Sequence, residues 1–167
     1  LRFKQAGITV PENRVLSAPE DLKRAFAELG NAEGTIWLRS MSIGGGGKGA
    51  LPTHDYDEAV EWIDRCQGWG DFVAAQLLTE KTVTWLSIWQ DGELVVAQTR
   101  RRKGWAHSAL SPSGVTGVTK IGETCSDAAV DVIAMRAVRA VSSVPHGIYG
   151  VDMTYDTQGV PNPTEIN

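Results

Sequence analysis

Two strand-like runs, Val83 to Gln90 and Glu93 to Thr99, meet at Asp91-Gly92, and this junction constrains the fold more than any other feature of the 167-residue chain. A two-residue turn needs positive φ at both central positions, which Asp and Gly tolerate, and it returns the chain antiparallel to itself. Trp85 and Trp89 share a face with Val83 and Ser87, so that face is expected to pack in a core rather than to stack on a ligand. The hairpin rules out an all-helical bundle and a purely parallel sheet.

Three helices are predicted around it. Ser17 to Gly30 opens with Ser17 and Glu20 at capping-box spacing and carries Leu22, Ala25, Phe26 and Leu29 at helical intervals. Asp55 caps a second helix, with Ala59, Trp62, Ile63 and Cys66 as its apolar stripe and Gly68 as its stop. The third runs from Ser126, with Val130, Ile133, Ala134, Ala137, Val138 and Val141 on one face, and closes before Pro145 and Gly147. Further strands are expected at Thr35 to Arg39 and Val73 to Leu78. A final hairpin pairs Ile148 to Tyr155 with Pro163 to Asn167 across the turn-rich Asp156 to Gly159. Helices alternating with antiparallel hairpins give an α+β class in two small lobes.

Composition narrows the function. A net charge of -4 with acids and bases evenly mixed provides no basic face for a nucleic-acid backbone. No apolar run reaches the roughly 20 residues of a membrane span, and the first residues lack signal-peptide organisation, so no membrane partner and a cytoplasmic location are expected. Cys66 and Cys125 stand apart with no metal-binding spacing, and His54, His107 and His146 are scattered beside turn residues. Nucleophilic or zinc chemistry therefore has no constellation to use.

Two segments do carry chemistry. Gly44-Gly45-Gly46-Gly47-Lys48-Gly49 follows an apolar strand after a short link. Glycines let backbone N–H groups approach an anion and Lys48 adds a positive charge, so the run reads as a phosphate-gripping loop. It is not a Walker A loop, since Ser42 and Gly49 occupy the positions of its first glycine and its hydroxyl. A solvated surface loop accounts for the same glycines. At the other end, Asp152 precedes Glu165 by thirteen residues across a predicted turn, and Asn167 shares the face of Glu165 by the period-two rule. Two carboxylates and an amide oxygen suit a hard cation such as magnesium, while a solvated strand face is the alternative.

The order of these parts resembles the ATP-grasp superfamily, in particular its carbamoyl-phosphate-synthase-like and D-alanine-ligase-like carboxylate ligases. The likeness runs from Phe3-Lys4-Gln5-Ala6-Gly7-Ile8-Thr9-Val10-Pro11 through Ile36-Trp37-Leu38-Arg39, the glycine loop, Asp57-Glu58-Ala59, and Arg100-Arg101-Arg102 to Glu165-Ile166-Asn167. It implies an ATP-grasp fold whose two α+β lobes, with mainly antiparallel sheets, enclose the nucleotide. Residues 1–13 would be an approach segment, 14–75 the small lobe, and 76–167 the large lobe, cut from a longer protein at both ends.

The resemblance implies that Arg39, Gly44, Gly45, Gly46, Gly47, Lys48 and Gly49 hold phosphates and that Gln76, Leu77 and Leu78 meet adenine. Asp152, Glu165 and Asn167 would bind magnesium, or manganese in its place, and Lys48 and Arg102 would stabilise phosphoryl transfer. The chain departs from the family in Arg39, where lysine is usual, and in Gln76, where glutamate is common. Thr79-Glu80-Lys81-Thr82 also replaces the usual Pro-Gly-x-Glu. The implied activity is ATP-dependent ligation of a small-molecule carboxylate to a nucleophilic acceptor, amine or thiol, through an acyl phosphate. A binding module without chemistry and a phosphotransferase are the alternatives, and a homo-oligomer is compatible with either.

Overall fold

The computed structural model describes residues 2–43 and 47–167, and the chain falls into two compact units that interleave in sequence. One comprises Pro11–Leu77 and Trp105–Thr119; the other comprises Leu1–Val10, Leu78–Gly104 and Lys120–Asn167. Among the described residues, no helix is long and apolar enough to cross a membrane.

The first unit is built on four strands, β1 (Asn13–Leu16), β2 (Ile36–Ser40), β3 (Ala50–Thr53) and β4 (Phe72–Gln76), in the order β1-β4-β2-β3 with antiparallel pairing. Alternate residues Leu16, Ile36, Leu38, Leu51, Phe72 and Ala74 are buried with Leu22, Ala25, Ala59 and Ile63 of two helices. These helices are Pro19–Leu29 and Tyr56–Arg65, labelled α2 and α3 after a short α1 at Arg2–Gln5. The Asp55 carboxylate caps α3 as expected, accepting from the N–H groups of Asp57 and Glu58. The cap of α2 differs from expectation: the Asp21 carboxylate accepts from the N–H groups of Ser17 and Ala18, so the box is shifted by one residue. β1 and β3 were not expected. β3 contains Pro52 and lies at the sheet edge, where a missing N–H costs no ladder bond.

The second unit is built on β5 (Thr82–Gln90), β6 (Glu93–Trp105), β7 (Thr119–Cys125), β8 (Gly147–Tyr155) and β9 (Pro161–Ile166), in the order β7-β6-β5-β8-β9. Asp91 and Gly92 both have positive φ, at 49° and 91°, as the predicted hairpin requires. Helix α4 (Ala128–Val141) covers one face, burying Val130, Ala134, Ala137 and Val138 against Val83, Trp85, Trp89, Val151 and Met153. The two tryptophans are core residues, as the alternation predicted. Ile8 enters this core, and Arg136 of α4 donates to the carbonyls of Ala6 and Gly7 at 2.9 and 3.0 Å, tying the segment after α1 to α4. β6 continues six residues past the expected end at Thr99, carrying all three arginines within the sheet.

Candidate functional site

On the sheet face away from α4, one cross-strand row collects the charged residues of the second unit. Asp152 lies opposite Glu165 on β9 and opposite Thr84 on β5, and Thr84 lies opposite Arg100 on β6. Directly opposed residues project from the same face. Arg102 lies two residues beyond Arg100, on that face too. Its guanidinium donates to Asp152 Oδ1 at 2.6 Å, and the Thr84 hydroxyl donates to the same oxygen at 2.8 Å. The ion pair is sheltered, with 10% of the Arg102 side chain and 19% of the Asp152 side chain exposed. Arg100 packs over Gly122 of β7, where a Cβ would stand 2.7 Å from its Cδ. Arg100 Nε is buried without a hydrogen-bond partner.

The pairing of Asp152 with Glu165 depends on an irregularity. From Tyr155 to Met153 the β8–β9 register is regular, and then it shifts by one, so that Thr164 is the extra residue. Without the shift Asp152 would face Thr164, and Glu165 would turn to the α4 side with Val151. The Thr164 hydroxyl donates to the Asp152 carbonyl at 3.2 Å. One turn of register further, Asn167 and Gly150 exchange backbone hydrogen bonds at 2.8 Å, which puts Asn167 on the face of Glu165. Among the described residues, no three His, Cys, Asp or Glu side chains form a group able to hold a metal. The donor set here is two carboxylates and one amide, all oxygen.

In the first unit, Gly44, Gly45 and Gly46 lie outside the described residues, while the stems of the glycine loop are described. Gly47 has φ +69°, and a Cβ on it would stand 1.8 Å from the Val115 carbonyl, so only glycine fits. The Ser111 hydroxyl, 3.3 Å from the Gly47 carbonyl, joins that contact. Lys48 is exposed, and with Ala106, His107, Leu110, Thr116 and Val118 it lines a shallow cavity. Arg39 pairs in register with Ala50 and Val73 and is exposed on the face of the sheet away from α2 and α3. At the start of the loop, the Ser40 hydroxyl donates to Asp71 Oδ2 at 2.5 Å. Hydrogen bonding from Ser40 first, and from Ser42 next, holds the Asp71 carboxyl below the usual carboxylate range.

Gln76, Leu77 and Leu78 lie at the junction of the two units, whose division falls between Leu77 and Leu78. Gln76 ends β4, donating its N–H to the Glu12 carbonyl at 3.0 Å and accepting from the Glu12 N–H on its side-chain oxygen at 3.2 Å. The Gln76 side-chain amide thus closes the end of the β1–β4 ladder. Arg100 belongs to the arginine run that stood out in the sequence, whereas Thr84, Ser40 and Asp71 did not stand out. Their partners are 31 to 68 residues away, and no local pattern marks them.

No family model matches the sequence, and no curated protein matches it. Solved structures do. The fold superposes on carboxyaminoimidazole ribonucleotide synthase from Aspergillus clavatus complexed with ATP, with a TM-score of 0.72 at 16% identity, over 99% of this chain and 42% of that one. The ATP-grasp ligase PsnB, complexed with a precursor variant, Mg and ADP, gives 0.68 at 19% identity, over 99% and 46%. L-amino acid ligase from Bacillus licheniformis gives 0.69 at 17%, over 99% and 38%. The chain spans less than half the length of each of these proteins.

Proposed function

We propose, from the ATP-grasp fold that this chain has in common with those ligases, that it is the nucleotide-binding core of an ATP- and magnesium-dependent carboxylate ligase. The observation that carries the proposal is the row Arg100, Thr84, Asp152 and Glu165 on one sheet face, with Arg102 beside it and the bulge at Thr164 setting Glu165 opposite Asp152. Two guanidinium groups beside two carboxylates suit a phosphate chain with a hard cation on it, because each charge of the ligand then finds its opposite.

In this reading Arg39, Lys48 and the N–H groups of Gly44 to Gly49 hold the phosphates, and Gln76, Leu77 and Leu78 receive the adenine. Asp152, Glu165 and Asn167 hold magnesium, which withdraws charge from the phosphate oxygens when bound. A set of so few protein ligands would suit magnesium, a hard cation that gives up its hydration water reluctantly. A substrate carboxylate oxygen attacks the γ-phosphorus, the bond to the bridging oxygen breaks, and ADP leaves with the electron pair. Arg102, anchored by Asp152, and Arg100 neutralise the charge that spreads in this transfer. An amine or thiol then attacks the acyl carbon, phosphate leaves, and the nucleophile's proton passes to water.

The test supplies ATP, magnesium and a panel of carboxylic acids with hydroxylamine as acceptor, and measures ADP and hydroxamate together. Acid-dependent ADP with matching hydroxamate is the expected result. ATP binding without ADP release under any acid would leave a binding module, and a stable phosphorylated product without hydroxamate would make the protein a phosphotransferase.

A further inference from the structure

Ser40 is 2% exposed, sits at the last position of β2, and governs both stems of the glycine loop. A serine hydroxyl has one proton to give and two lone pairs. Here the proton goes to Asp71 Oδ2, at 2.5 Å, and the oxygen accepts from the N–H groups of Ser42 at 3.2 Å and Ile43 at 2.8 Å. All three capacities are used, and the acceptor-only carboxylate fixes which way the proton points. Asp71 also takes the Ser42 N–H at 3.4 Å, and its carbonyl takes the Met41 N–H at 3.0 Å. On the other stem, the Ser40 N–H donates to the Gly49 carbonyl at 3.0 Å, and a Cβ at Gly49 would stand 2.8 Å from Ser40 Cβ.

We propose that Asp71, acting through the Ser40 hydroxyl, is a positioning residue that holds the stems of the glycine loop, Ser42 and Ile43 on one side and Gly49 on the other, in place for phosphate binding. The proposal rests on the reading of Gly44 to Gly49 as the phosphate grip. Asp71 touches no nucleotide in this account; it orients a hydroxyl, which orients two amides at the entry of the loop. An asparagine in its place matches its shape but can turn an NH2 donor toward Ser40. The hydroxyl would then accept from that donor and release one of the loop amides.

The experiment measures the affinity of the intact chain for adenosine, AMP, ADP and ATP with magnesium, alongside thermal melting, for the parent, Asp71→Asn, Ser40→Ala and Ser40→Thr. Expected is at least a tenfold loss of ATP affinity in Asp71→Asn and Ser40→Ala, adenosine affinity within twofold of the parent, and recovery in Ser40→Thr, which keeps the hydroxyl. If Asp71→Asn does not fold, Ser40→Ala reports on the same hydroxyl. Parent-like ATP affinity in Asp71→Asn, or in Ser40→Ala where the former is unfolded, overturns the proposal and leaves the phosphate grip standing. Equal losses for adenosine and ATP together with a lowered melting point make the network merely structural and overturn it as well. A parent that binds ATP no more tightly than adenosine removes the phosphate grip itself, and the proposal with it.

Discussion

Asp152 Oδ1 receives both a guanidinium and a hydroxyl, so one of its two carboxylate oxygens is engaged within the protein. Replacing Asp152 by Ala leaves the sheltered Arg102 head without that acceptor, and the loss of a hydrogen bond to a charged group is worth about 1.5–3 kcal/mol. Arg102→Ala should cost a similar amount for the converse reason. The double substitution should cost much less than the two together, because the pair is one interaction counted twice; additive losses in chemical denaturation would show that the two residues act separately. Lys48 is different, being exposed, so its removal should hardly touch folding. Lys48→Ala is expected to weaken ATP binding by about 1.5–3 kcal/mol with the melting point unchanged. Equal affinity in calorimetric titration would return the loop to a solvated surface segment.

Elements were more legible than the contacts between them. The Asp91-Gly92 hairpin, the apolar stripe of α4 and the pairing of β8 with β9 follow from local spacing, and the structure has each. Edge strands were harder: β7 is mostly exposed and carries no alternation, and β1 has only four residues. The stop at Gly68 illustrates a subtler failure. Gln67, not Gly68, takes the positive φ after α3, and Gly68 is needed because the Phe72 ring lies 2.3 Å from where its Cβ would be. The acidic pair was read correctly as a pair, yet the bulge that makes it one has no signature in sequence beyond Pro161 and Pro163 on an edge strand. Deleting Thr164 should remove the bulge and leave Glu165 opposite Asp152 in a regular register, with magnesium-dependent nucleotide binding retained. Loss of magnesium dependence in a deletion variant that folds would show that facing Asp152 is not enough for Glu165 to act as a ligand. Helix α4 offers a pH test. Asp127 caps it through the N–H groups of Ala129 and Val130, and the Tyr155 hydroxyl, 2.6 Å away, is the largest cause that lowers the Asp127 pKa. Because folding lowers it, the unfolded chain binds the proton first as pH falls, so a contribution complete at neutrality disappears below about pH 4. Asp127→Asn keeps a capping oxygen and should flatten the acid limb of the stability curve. An acid limb as steep as the parent's would place the titration elsewhere.

At the scale of the whole molecule, the residues proposed to meet one nucleotide belong to two units with separate cores, Arg39 and Lys48 in one and Arg102, Asp152 and Glu165 in the other. Binding to the folded chain alone raises its stability by mass action, about 2.7 kcal/mol at a ligand concentration one hundred times Kd. At roughly 2–4 °C per kcal/mol for a chain of this size, ATP with magnesium should raise the melting temperature by about 5–11 °C. The shift divides into a part that needs the metal and a part that does not. Glu165→Gln keeps size and hydrogen bonding but removes charge that holds a hard cation, so it should abolish the first part and spare the second. Asp152→Asn should do the same to the metal-dependent part, with some loss of basal stability because Arg102 then faces a neutral partner. Lys48→Ala should shrink the shift with magnesium and without it, since it acts on phosphate. Melting curves taken across a magnesium titration separate these patterns. If both acid variants keep the parent's magnesium dependence while still binding ATP, the metal does not sit on this pair, and the bulge at Thr164 serves the sheet alone.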